Sequence, residues 1–201
     1  MKISSLMIPD PITITEDASI TEAIELMKVN SIRHLPVVSA RNILRGFVTL
    51  ADLKQGLIPS MVGNLSLSDL MIHEPITVGP DDDIEIAAQL IYKHKIGGMP
   101  VVKNRKLVGI ITESDILRAF IDMMGILTAS SRIDVAIENK PGVFKKAMQI
   151  INDNGGDIIN VGRTAHQTGK RIYYVRLAAC KTSIIKKALE DGGFEVMAAM
   201  D

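Results

Sequence analysis

The hydrophobic and polar positions of about the first 120 residues describe the same series of elements twice. In each copy a short apolar stretch predicts a strand, and apolar residues at helical spacing predict a helix after it. Two apolar runs around a polar turn then predict a hairpin, and a second helix follows. In order, the predicted segments are 13–14, a helix opened by Ser19 or Thr21, 35–38, 44–48 and 50–57, and then 76–78, about 83–93, 100–102, 107–111 and a helix from 113. Each copy is therefore predicted to be a β-α-β-β-α unit.

Four landmarks recur in the same order and mark the repeat. They are the stretches 6–7 and 70–71, 11–14 and 75–78, 35–38 and 99–102, and 46–52 and 109–115. The spacing is about 64 residues and falls to about 63 at the last landmark. A repeat of this length indicates two supersecondary units that pack together. Because one unit alone buries little surface, we expect a pseudo-symmetric pair with equivalent clefts where the copies meet.

Two segments flank the second copy. Residues 56–68, with Pro59, Gly63 and Asn64, are predicted to connect the copies. The helix after residue 115 has a broad apolar face, which fits packing between copies or subunits and fits an ordinary core equally well. That face comprises Ile116, Leu117, Phe120, Ile121, Met124 and Leu127.

The pattern changes near residue 130. Alternating apolar residues predict strands at 133–137, 158–161, 172–177 and 194–197, with helices from about 143 to 152 and from 182 to 191. A polar hairpin loop is predicted at 166–170. The order β-α-β-β-α-β is the ferredoxin-like arrangement. We therefore predict an α/β (α+β) protein with domains at 1–58, 65–128 and 131–201.

Composition, charge and the absence of known motifs limit the classes of function that the chain can have. Apolar residues make up 47% of the 201 and aromatic residues 3%, so the core must be aliphatic. A formal net charge of zero disfavours nucleic-acid binding driven by charge. No apolar run is long enough to span a membrane, and the first residues lack a signal peptide's apolar stretch, so we expect a cytoplasmic protein. The single Cys180 and the scattered histidines show neither disulfide nor metal-ligand spacing, and no catalytic motif is present.

Thr49 and Asp52 end the first copy's last landmark, and Thr112 and Asp115 end the second. Thr-x-x-Asp at a helix start is typical of a capping box, in which both side chains bond to the helix's own backbone. A second interpretation is ligand binding, because free N–H groups at a helix start attract phosphate and a carboxylate accepts hydrogen bonds from ribose hydroxyls. Recurrence in both copies, with Asp rather than Glu, favours ligand binding.

With these motifs, residues 6 to about 120 resemble a tandem pair of CBS domains. Gly-hydrophobic-hydrophobic-Thr-x-x-Asp matches at 46–52 and 109–115, and hydrophobic-Pro-Val matches at 35–38 and 99–102. The resemblance implies adenosine-bearing ligands: AMP, ADP, ATP or S-adenosylmethionine. It also implies that Asp52 and Asp115 hold the ribose hydroxyls and that Thr49 and Thr112 lie near the phosphate. The strands of Thr13 and Thr77 would flank the base. We further expect the strands around Pro36 and Pro100 to offer backbone polar groups to the base edge.

The copies differ just before the second strand. Arg33 and His34 precede the first Leu-Pro-Val, whereas Gly97 and Gly98 precede the second Met-Pro-Val. A cationic pair can contact phosphate and a glycine pair cannot, although Arg33 also fits a solvated surface charge. We therefore expect the two sites to differ in affinity or in phosphate preference.

Residues 132 to about 198 resemble an ACT domain, a module that binds amino acids and similar effectors at subunit interfaces. The resemblance lies in a loop after the first strand, and the corresponding effector-site candidates are Asn139, Pro141, Gly142, Val143 and Phe144. We expect Asn139 to cap the helix, Pro141 to stand in its first turn and Gly142 to let a ligand approach the backbone. A well-formed helix start explains the same residues.

The resemblances together indicate a non-enzymatic sensor, similar to acetoin-utilisation-type CBS-ACT regulatory proteins, that forms a homodimer and acts on an unidentified partner protein. One alternative is a structural scaffold with degenerate pockets. Another is an enzyme that uses Arg163, His166 and Lys170 near one predicted hairpin.

Overall fold

The computed structural model of the protein describes residues 1–55, 65–127, 130–163 and 170–201. It divides into two compact units, Met1–Leu117 and Arg118–Asp201. Most of the predicted connector (56–64) and most of the predicted hairpin loop, with His166, lie outside the described residues. Within the described ranges, no helix combines the length and the apolar character that crossing a membrane requires.

The first unit contains both copies of the repeat. After a 3-10 turn at Ile3–Ser5, its strands are β1 (Ile8–Pro9), β2 (His34–Val38), β3 (Leu44–Thr49), β4 (Gly98–Lys103) and β5 (Lys106–Thr112). Its helices are α1 (Ile20–Val29), α2 (Leu50–Gln55), α3 (Leu67–Leu70), α4 (Ile84–His94) and α5 (Glu113–Met123), the last of which continues past the division between the units. The two predicted hairpins are the antiparallel pairs β2–β3 and β4–β5.

The segment that leads into each copy packs on the other copy. We call residues 1–12 and 65–76 the leading segments. In the first, Ile8 pairs with Ile110 of β5, and in the second, Ile72 pairs with Phe47 of β3. Leu67 is fully buried in a core formed with first-copy helices and strands. The sequence repeat therefore does not coincide with the structural module, because the leading segment of each copy packs on the other copy.

The structure refines or corrects three local predictions. Of the two candidate openers of α1, Ser19 is the N-cap, and it forms a reciprocal capping box with Glu22. The predicted strand at 13–14 is a single parallel bridge between Ile14 and Val37. The connector prediction missed α3, whose capping box pairs Ser66 with Asp69 and whose buried leucine anchors it to the first copy. A four-residue helix has too few apolar positions to show a periodicity.

The second unit has the predicted order of elements. They are β6 (Ser130–Glu138), α6 (Val143–Asp153), β7 (Ile158–Arg163), β8 (Lys170–Ala178), α7 (Thr182–Asp191) and β9 (Glu195–Met200). The strands form one antiparallel sheet in the order β7-β8-β6-β9. Apolar residues of α6 and α7, among them Ile151 and Leu189, pack with Ile133 and Val175 on one face of this sheet. That packing leaves the other face free of helices α6 and α7.

Candidate functional site

A cavity of about 680 Å³ lies where the first copy's Thr-x-x-Asp motif meets the second copy's leading segment. Its walls come from the end of β3, the start of α2, the leading segment and the loop before β4. The lining residues are Arg33, His34, Phe47, Thr49, Leu50, Ala51, Asp52, Lys54, Ile72, Glu74, Pro75, Ile76, Lys95, Ile96, Gly97, Gly98 and Glu113. We call this the first cavity.

A second cavity of about 290 Å³ is its counterpart under the repeat. It is lined by Ile8, Asp10, Pro11, Ile12, Ser31, Ile32, Arg33, His34, Gly97, Ile110, Thr112 and Ser114. Each of these residues has its repeat equivalent in the wall of the first cavity, as Asp10 has in Glu74 and Thr112 has in Thr49. The equivalent clefts expected from the repeat are therefore present, and they differ in size.

Both aspartates of the doubled motif bond to their own helix start. Asp52 Oδ2 accepts hydrogen bonds from the backbone N–H of Thr49 at 3.0 Å and from its hydroxyl at 2.6 Å. Asp115 Oδ2 accepts the same two bonds from Thr112, at 2.9 and 2.6 Å. The capping-box interpretation is therefore confirmed as a description of the geometry. Asp69 caps α3 in the same way, so the use of Asp in place of Glu is no sign of a ligand.

Capping does not prevent Asp52 from binding a ligand. A carboxylate has two oxygens and about four acceptor positions, and both bonds from Thr49 go to Oδ2. Asp52 is half-buried and lines the first cavity, which is open rather than filled by side chains. Asp115 differs, because it is 7% exposed and does not line the second cavity. The two aspartates are thus equivalent in sequence but not in their access to a cavity.

The helix start of α2 offers fewer donors to phosphate than the sequence suggested. The N–H of Thr49 donates to Asp52, the N–H of Asp52 donates to the Thr49 hydroxyl, and the N–H of Leu50 donates to the Arg33 carbonyl. Capping and strand contacts satisfy these donors within the protein. These three N–H groups are therefore not free to bind a phosphate in the first cavity, whose wall also carries the cationic side chains of Arg33, Lys54 and Lys95.

Arg33, His34 and Gly97 line both cavities. We expected a cationic pair at one site and a glycine pair at the other, but the crossing of the copies brings the two pairs together. The His34 ring stacks on Phe47 with centroids 5.9 Å apart. A Cβ on Gly97 would stand 2.8 Å from His34 Nε2, so only glycine gives the ring this space. Burial, assisted by the charge of Arg33, lowers the pKa of His34.

Four other candidates carried over from sequence line neither cavity: Thr13, Pro36, Thr77 and Pro100. Pro36 and Pro100 are buried, and their carbonyls accept hydrogen bonds from the N–H groups of Ile14 and Val78. Each carbonyl therefore has one of its two acceptor positions occupied within the protein, and contact with a base edge stays a prediction. The last residue of each leading segment that lines a cavity is Ile12 or Ile76, so Thr13 and Thr77 lie just outside the cavity walls. Gly98 does line the first cavity.

Sequence reasoning missed the contribution of the leading segments. Glu74 and Pro75 in the first cavity, and Asp10 and Pro11 in the second, are an acidic residue and a proline at matching positions of the repeat. That match was a signal in the sequence. It did not reveal a site, because only the crossing of each segment onto the other copy brings it to a Thr-x-x-Asp motif. Lys95 was missed for the same reason, whereas Lys54 lies in α2 close to Asp52 and was missed although no crossing is needed to place it there.

The sequence pattern of the CBS domain matches residues 3–58 and 67–122, which together make up more than half of the chain. The chain belongs to the CBS domain family. Its CBS pair is similar to an AcuB protein of Vibrio cholerae, assigned to acetoin utilization, with 33% identity and a TM-score of 0.55 over 61% of this chain and 91% of that chain.

Two similar structures contain ligands. The CBS domain pair of protein MJ0100, solved with 5'-methylthioadenosine and S-adenosyl-L-methionine, is 30% identical, with a TM-score of 0.56 over 60% of this chain and 99% of that chain. CBSX2, solved with AMP, is 29% identical, with a TM-score of 0.54 over 60% of this chain and 96% of that chain.

The curated relatives are longer proteins. A homoserine O-acetyltransferase of Methanohalobium evestigatum is 36% identical over 117 residues, which are 58% of this chain and 23% of the relative. The chain thus spans about a quarter of the length of the first curated relatives it matches.

The effector-site candidates form the turn before α6. Gly142, with φ +82°, is the N-cap of α6 and provides no side-chain cap, so the expectation that Asn139 caps this helix is wrong. Pro141 precedes the N-cap and is not in the first turn, while Val143 begins the helix. Phe144 packs on Tyr173 with ring centroids 5.0 Å apart. The left-handed backbone of Gly142 explains the glycine without a ligand.

The residues proposed for the enzyme alternative are only partly described. His166 lies outside the described residues, and Lys170 pairs with Glu195 at 3.0 Å. Among the residues that the structure describes, no three His, Cys, Asp or Glu side chains are grouped to hold a metal ion.

Proposed function

We propose that the protein is a non-enzymatic regulatory CBS protein that binds adenosine-bearing ligands in its first and second cavities. The observation that carries this proposal is the first cavity, an open space of about 680 Å³ with the Asp52 carboxylate in its wall. The volume lies within the range of ordinary small-molecule sites, about 300–1,000 Å³. Its walls combine apolar side chains with a small set of charged groups, as ligand sites commonly do.

The charged groups suit different parts of a nucleotide. Asp52 holds its helix cap through Oδ2, and Oδ1 accepts from a ribose hydroxyl. Arg33, Lys54 and Lys95 line the first cavity and supply the charge that phosphate requires. Phe47 and Ile72, on adjacent chain segments, provide apolar surface for a base. Complexes of similar CBS pairs with 5'-methylthioadenosine, S-adenosyl-L-methionine and AMP support this class of ligand.

The regulatory step follows from where the cavities lie. Each is built from both copies, so a ligand that fits one arrangement of the copies better than another shifts the population toward it. The output is a changed association with a second copy or with a partner protein. We propose a cytoplasmic homodimer, with residues 131–201 as an ACT domain whose loop from Asn139 to Phe144 takes a small effector such as an amino acid.

Isothermal titration of the full chain with AMP, ADP, ATP and S-adenosylmethionine tests the proposal. We expect saturable binding of at least one of the four. Absence of heat and of a thermal shift with all four would favour a structural scaffold. Chemical conversion of the bound nucleotide over hours, followed by chromatography, would favour an enzyme.

A further inference from the structure

The second unit has a cavity of about 320 Å³, lined by Met124, Arg132, Asn160, Tyr174 and Arg176. The strand residues lie on β6, β7 and β8. On β6, Ile133 and Val135 belong to the core under the helices, so Arg132, which alternates with them, belongs to the opposite face. The cavity therefore stands on the face of the sheet that α6 and α7 do not cover.

Two arginines face each other across this surface. Arg132 and Arg176 are direct partners in the antiparallel register of β6 and β8, and Asn160 of β7 is the next residue in the same row. Directly opposite residues have Cβ atoms only about 5 Å apart, and like charges in such a pair are destabilising. The row therefore places two guanidinium groups and an amide in one cavity.

The protein compensates one of the two charges. Arg132 forms a two-point ion pair with Asp134, with both N–O distances 2.6 Å, and its guanidinium carbon lies 4.8 Å from the centre of the Tyr174 ring. Arg176 donates to the hydroxyl of Ser130 at 2.8 Å. Within the described ranges, no carboxylate forms an ion pair with Arg176.

We propose that this cavity binds a small oxyanion, a phosphate or a carboxylate group, on Arg176 with the second guanidinium of Arg132 beside it. An arginine presents five N–H donors in a planar fork, and one bond to a neutral hydroxyl leaves most of them available. Asp134 fixes Arg132 and so prepares the site before the anion arrives. The volume accommodates a small organic acid or a phosphate ester, with the Met124 side chain as the apolar wall.

The site is distinct from both cavities of the CBS pair, since all of its lining residues lie in Arg118–Asp201. It is also distinct from the loop around Gly142, none of whose residues lines it. Anion binding at this site can therefore be tested independently of adenosine binding in the CBS pair.

Amide chemical shifts of the full chain in Tris chloride, titrated with inorganic phosphate and separately with succinate, test the proposal. We expect saturable shifts at Arg132, Tyr174 and Arg176 at millimolar ligand. A response to phosphate alone identifies a phosphate ligand, and a response to succinate alone identifies a carboxylate. Absence of shifts at these residues with both probes would overturn the site.

Substitution assigns the binding to the guanidinium. Arg176→Gln should weaken the responding anion about tenfold or more, because charge-assisted hydrogen bonds are lost. Arg171→Gln is the matched control, since Arg171 lies on the same strand but does not line the cavity. Arg176→Lys keeps the charge without the planar guanidinium fork and should give an intermediate affinity. This variant still tests the site if Arg176→Gln unfolds. Equal affinity in the Arg176 and Arg171 variants would contradict the proposal.

Discussion

Gly46 and Met71 touch where the second leading segment crosses onto the first copy. A Cβ at residue 46 would stand 2.5 Å from the Met71 sulfur and 3.1 Å from the backbone oxygen of Ile72. Gly109 repeats the relationship with Met7, at 2.6 Å. The glycine that opens the Gly-hydrophobic-hydrophobic-Thr-x-x-Asp motif is thus required by the approach of another chain segment and not by its own backbone angles.

Gly46→Ala should destabilise the CBS pair by about 1–3 kcal/mol, the usual cost of overpacking a filled interior. Met71 is buried and cannot swing away without disturbing the core around Leu67. The change is measured by urea unfolding. Gly79→Ala is the control, because a Cβ there would meet its nearest atom at an ordinary 3.4 Å. Similar midpoints for the two variants would mean that the crossing tolerates the methyl group.

Asp52→Ala should weaken AMP binding about tenfold or more through the lost bond to ribose. It also removes a helix cap, at a cost of about 1 kcal/mol. Asp69→Ala removes the same kind of cap from α3 at an exposed position and should leave AMP affinity unchanged. Titration calorimetry on the three proteins separates the two effects. If Asp69→Ala lowers affinity as much as Asp52→Ala, Asp52 is a cap and nothing more.

Asp115→Ala should act mainly on stability, because this carboxylate is buried and does not line the second cavity. We expect its unfolding midpoint to fall while AMP binding retains the stoichiometry of the parent. Loss of one binding site at temperatures well below the midpoint would show instead that Asp115 reaches a ligand.

Arg33→Gln should distinguish AMP from adenosine, which differ only in the phosphate. If side-chain cations of the cavity wall recognise the phosphate, as we propose, AMP affinity should fall about tenfold and adenosine affinity should stay within about twofold. Arg41→Gln, at an exposed turn outside both cavities, serves as the control. An equal loss for the two ligands would indicate that Arg33 supports the cavity wall and not the phosphate.

His34 should make stability depend on pH. Its pKa is lowered in the fold, chiefly by burial, so the unfolded chain takes up the proton more readily. The stabilisation that neutral His34 provides is present above its unfolded pKa of about 6.5 and is lost as the pH falls through the lower, folded value. Urea midpoints of the parent should fall between about pH 7.5 and 5, and His34→Gln should fall less. An equal fall of the urea midpoint in the parent and in His34→Gln would exclude this role of His34.

Gly142→Ala should destabilise the second unit by about 1–2 kcal/mol, since alanine is strained at a positive φ. No atom lies within 4 Å of the added Cβ, so the cost is conformational and not steric. Gly142→Asn should recover part of it, because asparagine tolerates the left-handed region. Thermal unfolding of the two variants checks the order. Equal stability of the alanine variant and the parent would show that the turn relaxes.

Local chemistry made much of the molecule predictable. The hydrophobic run from Leu35 to Val38 became β2, and Ser19 with Glu22 opened α1, because these signals depend on neighbours in the chain. The order of elements around Ile133 and Val175 followed from alternation for the same reason. The repeat itself, and with it the presence of two equivalent clefts, was visible in the sequence before any contact was known.

Long-range packing decided the rest. No periodicity shows that residue 72 pairs with residue 47, so the contributions of Glu74 and Lys95 to the first cavity could not be seen. Burial separated Asp52 from Asp115, which the repeat makes identical. The sequence by itself determined most of the elements and the repetition of those in the first unit, because helix-capping hydrogen bonds and apolar spacing are local. Only the tertiary structure decided which copy supplies each wall, because a crossing brings together residues that share no local signal.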